Sequence, residues 1–121
     1  TRNNLDTKLP LVADYYGALV NISFQNVAAN GEVQFYAPVF SGIRYKHANP
    51  VSNYADAFRA QLKKIHPDSS SVIFSCNCIL NYLYCGLESK QTENFVGPIT
   101  FGEIAYQLLN QTLVYLEVHD A

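Results

Sequence analysis

The sequence predicts an α+β fold: a mostly antiparallel sheet of about five strands, one long amphipathic helix and one short helix. Three observations predict it. Runs with a period of two, set off by turn residues, stand at both ends of the chain and read as hairpins, which favour antiparallel pairing. Between them, Val51, Tyr54, Ala55, Phe58, Leu62 and Ile65 recur at helical spacing. The chain has 121 residues, enough for one hydrophobic core and too few for two ordinary domains of roughly 100 to 200 residues each.

Residues 1–8 are polar and aperiodic and read as a tail or linker, with residues 9–121 forming a single domain. Over residues 19–27, Leu19, Asn21, Ser23 and Gln25 share one face and Val20, Ile22 and Phe24 the other, which predicts a half-buried strand. Asn30-Gly31 tolerates the positive backbone angles of a type I′ turn, after which β-branched and aromatic residues resume up to residue 46. Pro38 and Gly42 interrupt that run and predict a bulge or an edge position.

Asn49 and Pro50 suit the N-cap and first position of the helix, which His66-Pro67 then ends. Its polar face carries Asn53, Asp56, Arg59, Lys63 and Lys64, with Asp56 placed to pair with Arg59. Residues 67–71 read as a turn, residues 72–76 as a short buried strand, and residues 79–87 as one or two helical turns closed by Gly86. After a polar loop at 88–94, residues 96–118 give two strands joined around Leu109, Asn110 and Gln111. In the last of them Leu113, Tyr115 and Glu117 alternate with Val114, Leu116 and Val118. This order is compatible with a PAS-like or profilin-like sheet.

A net charge of -2, a pI near 5.8 and no basic run longer than Lys63-Lys64 argue against nucleic acid or an anionic membrane as partner. Charged residues make up only 15% of the chain, against roughly 25% in ordinary soluble domains. Asn, Gln, Ser and Tyr must therefore cover much of the surface, and part of it is left for a partner such as a second copy. No stretch reaches the roughly 18 apolar residues of a membrane span, and the first residues lack the regions of a signal peptide. Cys76, Cys78 and Cys85 are an odd, closely spaced set, unlike a secreted disulfide framework. The expected location is the cytoplasm. The chain contains no Met and is expected to be a piece of a larger protein.

The nucleophile-elbow, phosphate-loop and dinucleotide-binding patterns are all missing, and no Ser, His and acidic set is spaced as a triad, so no enzymatic activity is expected. The cysteines lack the paired CxxC elements of a zinc site and read as small apolar residues, with no metal expected. His47, just before the helix cap, is the candidate axial ligand should haem be the cofactor; His66 and His119 suggest no site. Glu103 is the most unusual charged residue. It lies in an apolar strand pattern directly after Gly102, where a carboxylate needs a partner or a water-filled cavity. Gly102 admits close approach of backbone or ligand. The nine tyrosines can line a pocket with apolar faces and polar tips.

Three blocks in the later part of the chain, VIFSCN at 72–77, GPITFGEIAY at 97–106 and LNQTLVYL at 109–116, resemble in this order the C-terminal FIST domain. The matching positions are Ser75, Cys76 and Asn77, then Gly102 and Glu103, then Asn110 and Thr112. The resemblance implies a small-ligand-binding sensory or regulatory domain of a bacterial signal-transduction protein, partnered by an N-terminal FIST half or an output domain. Its ligand would be an amino acid or another polar metabolite, held by Glu103, Gly102, Asn77, Ser75, Cys76, Thr112 and Tyr106. Some FIST relatives carry haem and sense nitric oxide, which makes a haem module with His47 the alternative. A structural or dimerising half-domain without ligand is the third reading.

Overall fold

Of the 121 residues, the computed structural model describes 5–65, 72–92, 95–105 and 107–118. The His66-Pro67 step, the turn expected at 67–71, Tyr106 and His119 lie outside the described residues. The chain opens with a hairpin that period-two reading from residue 19 passes over: β1 (Leu11–Tyr15) pairs antiparallel with β2 (Ala18–Ile22). Its two-residue turn, Tyr16-Gly17, has φ of 56° and 95°, the left-handed pair that a type I′ turn demands. The Gly17 N–H donates to Asp14 Oδ1 at 2.6 Å and closes it.

A second hairpin follows at once, β3 (Phe24–Val27) against β4 (Val33–Phe35). Its connection spans residues 28–32, longer than the two-residue turn expected. The Gly31 N–H donates to the Ala28 carbonyl at 2.9 Å, and the Glu32 N–H to Asn30 Oδ1 at 3.0 Å. The run expected to continue to residue 46 ends at Phe35, and β5 (Tyr45–His47) pairs instead with β1. The first sheet therefore has the order β2-β1-β5. Val20 and Ile22 turn one face of it inward onto Ala37 and Leu109, with Tyr15, Phe35 and Tyr45 packed around them.

Helix α1 (Tyr54–Ile65) starts later than expected because Asn53, not Asn49, caps it. The Asn53 carbonyl accepts the Ala57 N–H at 3.0 Å, and its Oδ1 accepts the Asp56 N–H at 3.4 Å. Asp56 and Arg59 lie 3.9 Å apart. Leu62 is the one fully buried side chain among the helix's described residues, so this is a twelve-residue peripheral element and not the long sheet-covering helix expected. Strand β6 (Val72–Cys78) leads into the short helix α2 (Ile79–Tyr84). Gly86, at φ 62°, ends α2 with the Leu87 N–H donating to the Tyr82 carbonyl at 3.0 Å, a left-handed glycine stop.

The second sheet has the order β10-β6-β7: β6 runs antiparallel to β10 (Leu113–Glu117) and parallel to β7 (Ile99–Thr100). Strands β8 (Glu103–Ala105) and β9 (Gln107–Leu109) form a further hairpin, with β8 against β6 and β10 and β9 against β2. The chain is thus α+β, but among the described residues the single five-stranded PAS-like or profilin-like sheet is replaced by four small sheets. Pro38, Gly42, Pro98 and Gly102 cut the apolar runs into pieces too short to pair in one long ladder. Strand β6 also departs from a buried strand. Ile73 and Phe74 are exposed while Ser75 and Asn77 are buried, the reverse of what side-chain polarity alone favours.

Candidate functional site

The sequence-predicted residues converge where β6, β8 and the start of β10 meet. Glu103 is 3% exposed. Thr112 donates its hydroxyl to Oε2 at 2.6 Å, and the Thr100 hydroxyl lies 2.9 Å from Oε1 and 3.3 Å from the Asn77 carbonyl. A hydroxyl has one proton, and the nearer, charged oxygen takes it. Burial raises the Glu103 pKa above its ordinary value, and the two threonine hydroxyls offset part of that rise. Cys76 on β6 feels the same carboxylate: burial first, then the Glu103 charge, pushes its thiol up. Both Glu103 oxygens are thus engaged by the protein, and the group acts as an internal tie between β7, β8 and β10.

Gly102 is needed for a protein contact. A Cβ there would lie 3.2 Å from both Asn110 Nδ2 and the Leu109 carbonyl oxygen. Thr112 ties the region together a second time, its carbonyl accepting the Cys78 N–H at 2.9 Å. Tyr106 lies outside the described residues.

Ser75 and Asn77 behave differently. They are 2% and 8% exposed, and both line a cavity of about 250 Å³ together with Tyr82, Lys90, Phe95 and Gly97. The Asn77 carbonyl group Oδ1 accepts from Asn81 Nδ2 at 2.8 Å. Neither the Asn77 Nδ2 nor the Ser75 hydroxyl has a hydrogen-bond partner among the described residues. Lys90, exposed at the cavity, has no ion-pair partner among them either. Gly97 brings the backbone of the opposite wall directly onto Ser75.

Behind Asn77 runs a buried relay. Asn81 is wholly buried, and its Oδ1 accepts from the Tyr54 hydroxyl at 3.0 Å. Burial, followed by the nearby Cys85 sulfur, raises the Tyr54 pKa far above its ordinary value. The relay carries a prediction. Tyr54→Phe leaves Asn81 Oδ1 buried without its donor and should cost about 1–2 kcal/mol of unfolding free energy in urea titrations. A variant as stable as the parent would place the tyrosine hydroxyl outside the network.

On the far side, Gln111 fastens the residues before β1. Its Nε2 donates to the Lys8 carbonyl at 2.9 Å, and its Oε1 accepts from the Ser23 hydroxyl at 3.1 Å. Cys85 lies 3.8 Å from the same Nε2, its thiol raised by burial and lowered in part by Gln111 and Tyr54. His47 sits on β5 with Nε2 at 2.9 Å from the Asp6 carbonyl. A carbonyl only accepts, so Nε2 carries a proton there and offers no lone pair to haem iron in this arrangement. Cys76, Cys78 and Cys85 are free thiols, and no three metal-ligating side chains come together among the described residues. No helix among the described residues is long and apolar enough to cross a membrane.

Thr100, Asn81, Tyr54 and Lys90 escape a sequence reading because each looks like an ordinary strand, helix or loop residue. The Gly97-Pro98 pair was the available signal, since a glycine within an apolar run marks a close backbone approach.

A family model, described as a family of unknown function (DUF6976), matches residues 1–119, and the chain belongs to that family. No curated protein and no solved structure matches the chain. Family membership assigns neither an activity nor a ligand.

Proposed function

We propose that this member of the DUF6976 family is a small-ligand-binding regulatory domain whose ligand occupies the 250 Å³ cavity beside β6. One observation carries the reading. Ser75 and Asn77, each more than nine-tenths buried, line that cavity with a hydroxyl and an amide donor that serve no other described group. Both donors reach the open cavity and are not sealed in protein, so a polar molecule entering it can accept from two groups together, each such bond to a charged acceptor contributing about 1.5–3 kcal/mol. The exposed Lys90 ammonium supplies positive charge at the same cavity and Phe95 an apolar wall. The matching ligand is a small molecule with a carboxylate at one end, of which a free amino acid is the simplest example. Glu103 and Thr112 take no part in contacting it; they hold β8 and β10 against β6, which carries the two donors. The FIST resemblance supports a sensory role for such a site.

A thermal-shift screen of amino acids and short carboxylic acids tests this. A ligand at 100 times its dissociation constant adds about 2.7 kcal/mol to the folded state, a rise of several degrees. The expected result is a carboxylate hit whose affinity falls about tenfold in Ser75→Ala, through loss of a hydrogen bond to a charged group. Lys90→Gln should weaken it also while leaving the unliganded melting point unchanged. A screen in which no carboxylate shifts the parent protein, or a hit indifferent to both variants, sinks the proposal.

A further inference from the structure

A second cavity, of about 300 Å³, lies on the opposite side of the relay and contains none of the residues singled out above as ligand contacts. We infer that it is a separate binding site for a small, uncharged planar molecule that presents an N–H beside a C=O, as a cyclic amide or a pyrimidine ring does. Its walls come from two directions. Val12 and Asn21, directly opposed in the β1–β2 register, provide the outer face of the first sheet; Tyr54, Tyr84, Cys85 and Gln111 provide the other side.

The chemistry follows from which polar groups are already engaged. Gln111 is committed to Ser23 and Lys8, and the Tyr54 hydroxyl to Asn81. The half-buried Asn21 side chain is not: its amide has no hydrogen-bond partner among the described residues. A primary amide offers a donor and an acceptor side by side, and its complement is a flat edge with the same pair reversed. Two tyrosine rings with apolar neighbours suit the faces of such a ring. Asp6 and Lys8, the charged groups at this cavity, are of opposite sign and both exposed, which favours a neutral occupant over an ion. The volume suits a ligand of one ring, at the small end of the range for ligand pockets.

Uracil is the probe, titrated into the whole chain by calorimetry and followed by amide NMR, with 1,3-dimethyluracil and benzoate beside it. The expected result is saturable uracil binding with dimethyluracil and benzoate at least about tenfold weaker, the discrimination a paired amide edge provides. Asn21→Ala and Asn21→Asp should each lose the binding. The second keeps the shape of the side chain but replaces its donor with a charged acceptor, so a folded Asn21→Asp protein answers for any instability of the first. Lys90→Gln, in the other cavity, should leave uracil binding unchanged. Failure of uracil to saturate at millimolar concentration, or binding that survives both Asn21 variants, overturns the assignment.

Discussion

Gly97→Ala should lose about 3 kcal/mol or more of unfolding free energy, or fail to fold cooperatively, a severe effect among single substitutions. An alanine Cβ at this position would overlap the Ser75 carbonyl oxygen and stand 2.7 Å from its carbonyl carbon. Both are backbone atoms of β6, so no side-chain rotation relieves the overlap. The strand and the segment entering β7 must move apart, which breaks the 3.1 Å bond from the Asn77 N–H to the Pro98 carbonyl and the parallel register of Asn77 with Ile99. The same movement opens the wall of the cavity on which the proposed ligand depends. Gly42→Ala is the control. It has no atom within 4 Å of the added Cβ, and its φ of 85° is the only penalty, about 1–2 kcal/mol for a left-handed residue with a side chain. Urea unfolding followed by circular dichroism measures both; a Gly97→Ala protein no less stable than Gly42→Ala would show that the backbones do not approach this closely.

What the sequence made legible follows the range of the interactions involved. The β3–β4 hairpin and the Asp56–Arg59 pair are local, decided within a few residues, and could be read from Asn30-Gly31 and from i,i+3 spacing. The β1–β2 hairpin had a local signal too, Tyr16-Gly17 between two apolar runs, but an aromatic residue at a positive φ disguises the turn. Sheet membership was not legible. Whether β5 extends β4 or crosses to β1 depends on contacts more than thirty residues apart in sequence, such as Leu11 with His47, and periodicity carries no such information.

The candidate site divides the same way. Glu103 stood out because a charge within an apolar run is anomalous, and the structure places it 3% exposed. Its partner Thr100 could not be named, and Thr112 entered only through the resemblance, as a ligand contact and not as a partner of Glu103, because a threonine in a strand is unremarked whether or not it faces a carboxylate. Ser75 and Asn77 alternate on one face of β6, so a shared direction could be read; that this face opens on a cavity depends on Gly97 and Lys90, two loop positions distant in sequence.

Glu103 supports the other large effect, and its sign is set by the direction of its pKa. The folded protein holds this carboxyl above the ordinary value of 4.5, chiefly by burial. Below that value both folded and unfolded chains carry the proton and the group favours neither. As pH rises from about 4.5 through the folded pKa, the unfolded chain gives up the proton first, so folding loses stability across that window and holds a constant deficit above it. Glu103→Gln removes the ionisation while keeping an acceptor for one threonine hydroxyl and a donor for the other. The stability of the parent minus that of Glu103→Gln should therefore fall as pH rises from 4.5 toward neutrality, with every other titrating group cancelling in the difference. Glu103→Ala is the contrasting case: it strands Thr100 and Thr112 and empties a buried volume, so it should cost about 2–4 kcal/mol near pH 4.5, a cost that shrinks with rising pH as the parent itself loses stability. Cys76 gives an independent reading, because the Glu103 charge raises its thiol pKa. In Glu103→Gln that thiol should ionise at lower pH and react faster with a disulfide reagent at mildly alkaline pH. If the stability difference is flat with pH and Cys76 reacts as before, the carboxylate is not buried between the two threonines, and the tie that holds β8 and β10 to the ligand-lining strand must lie elsewhere.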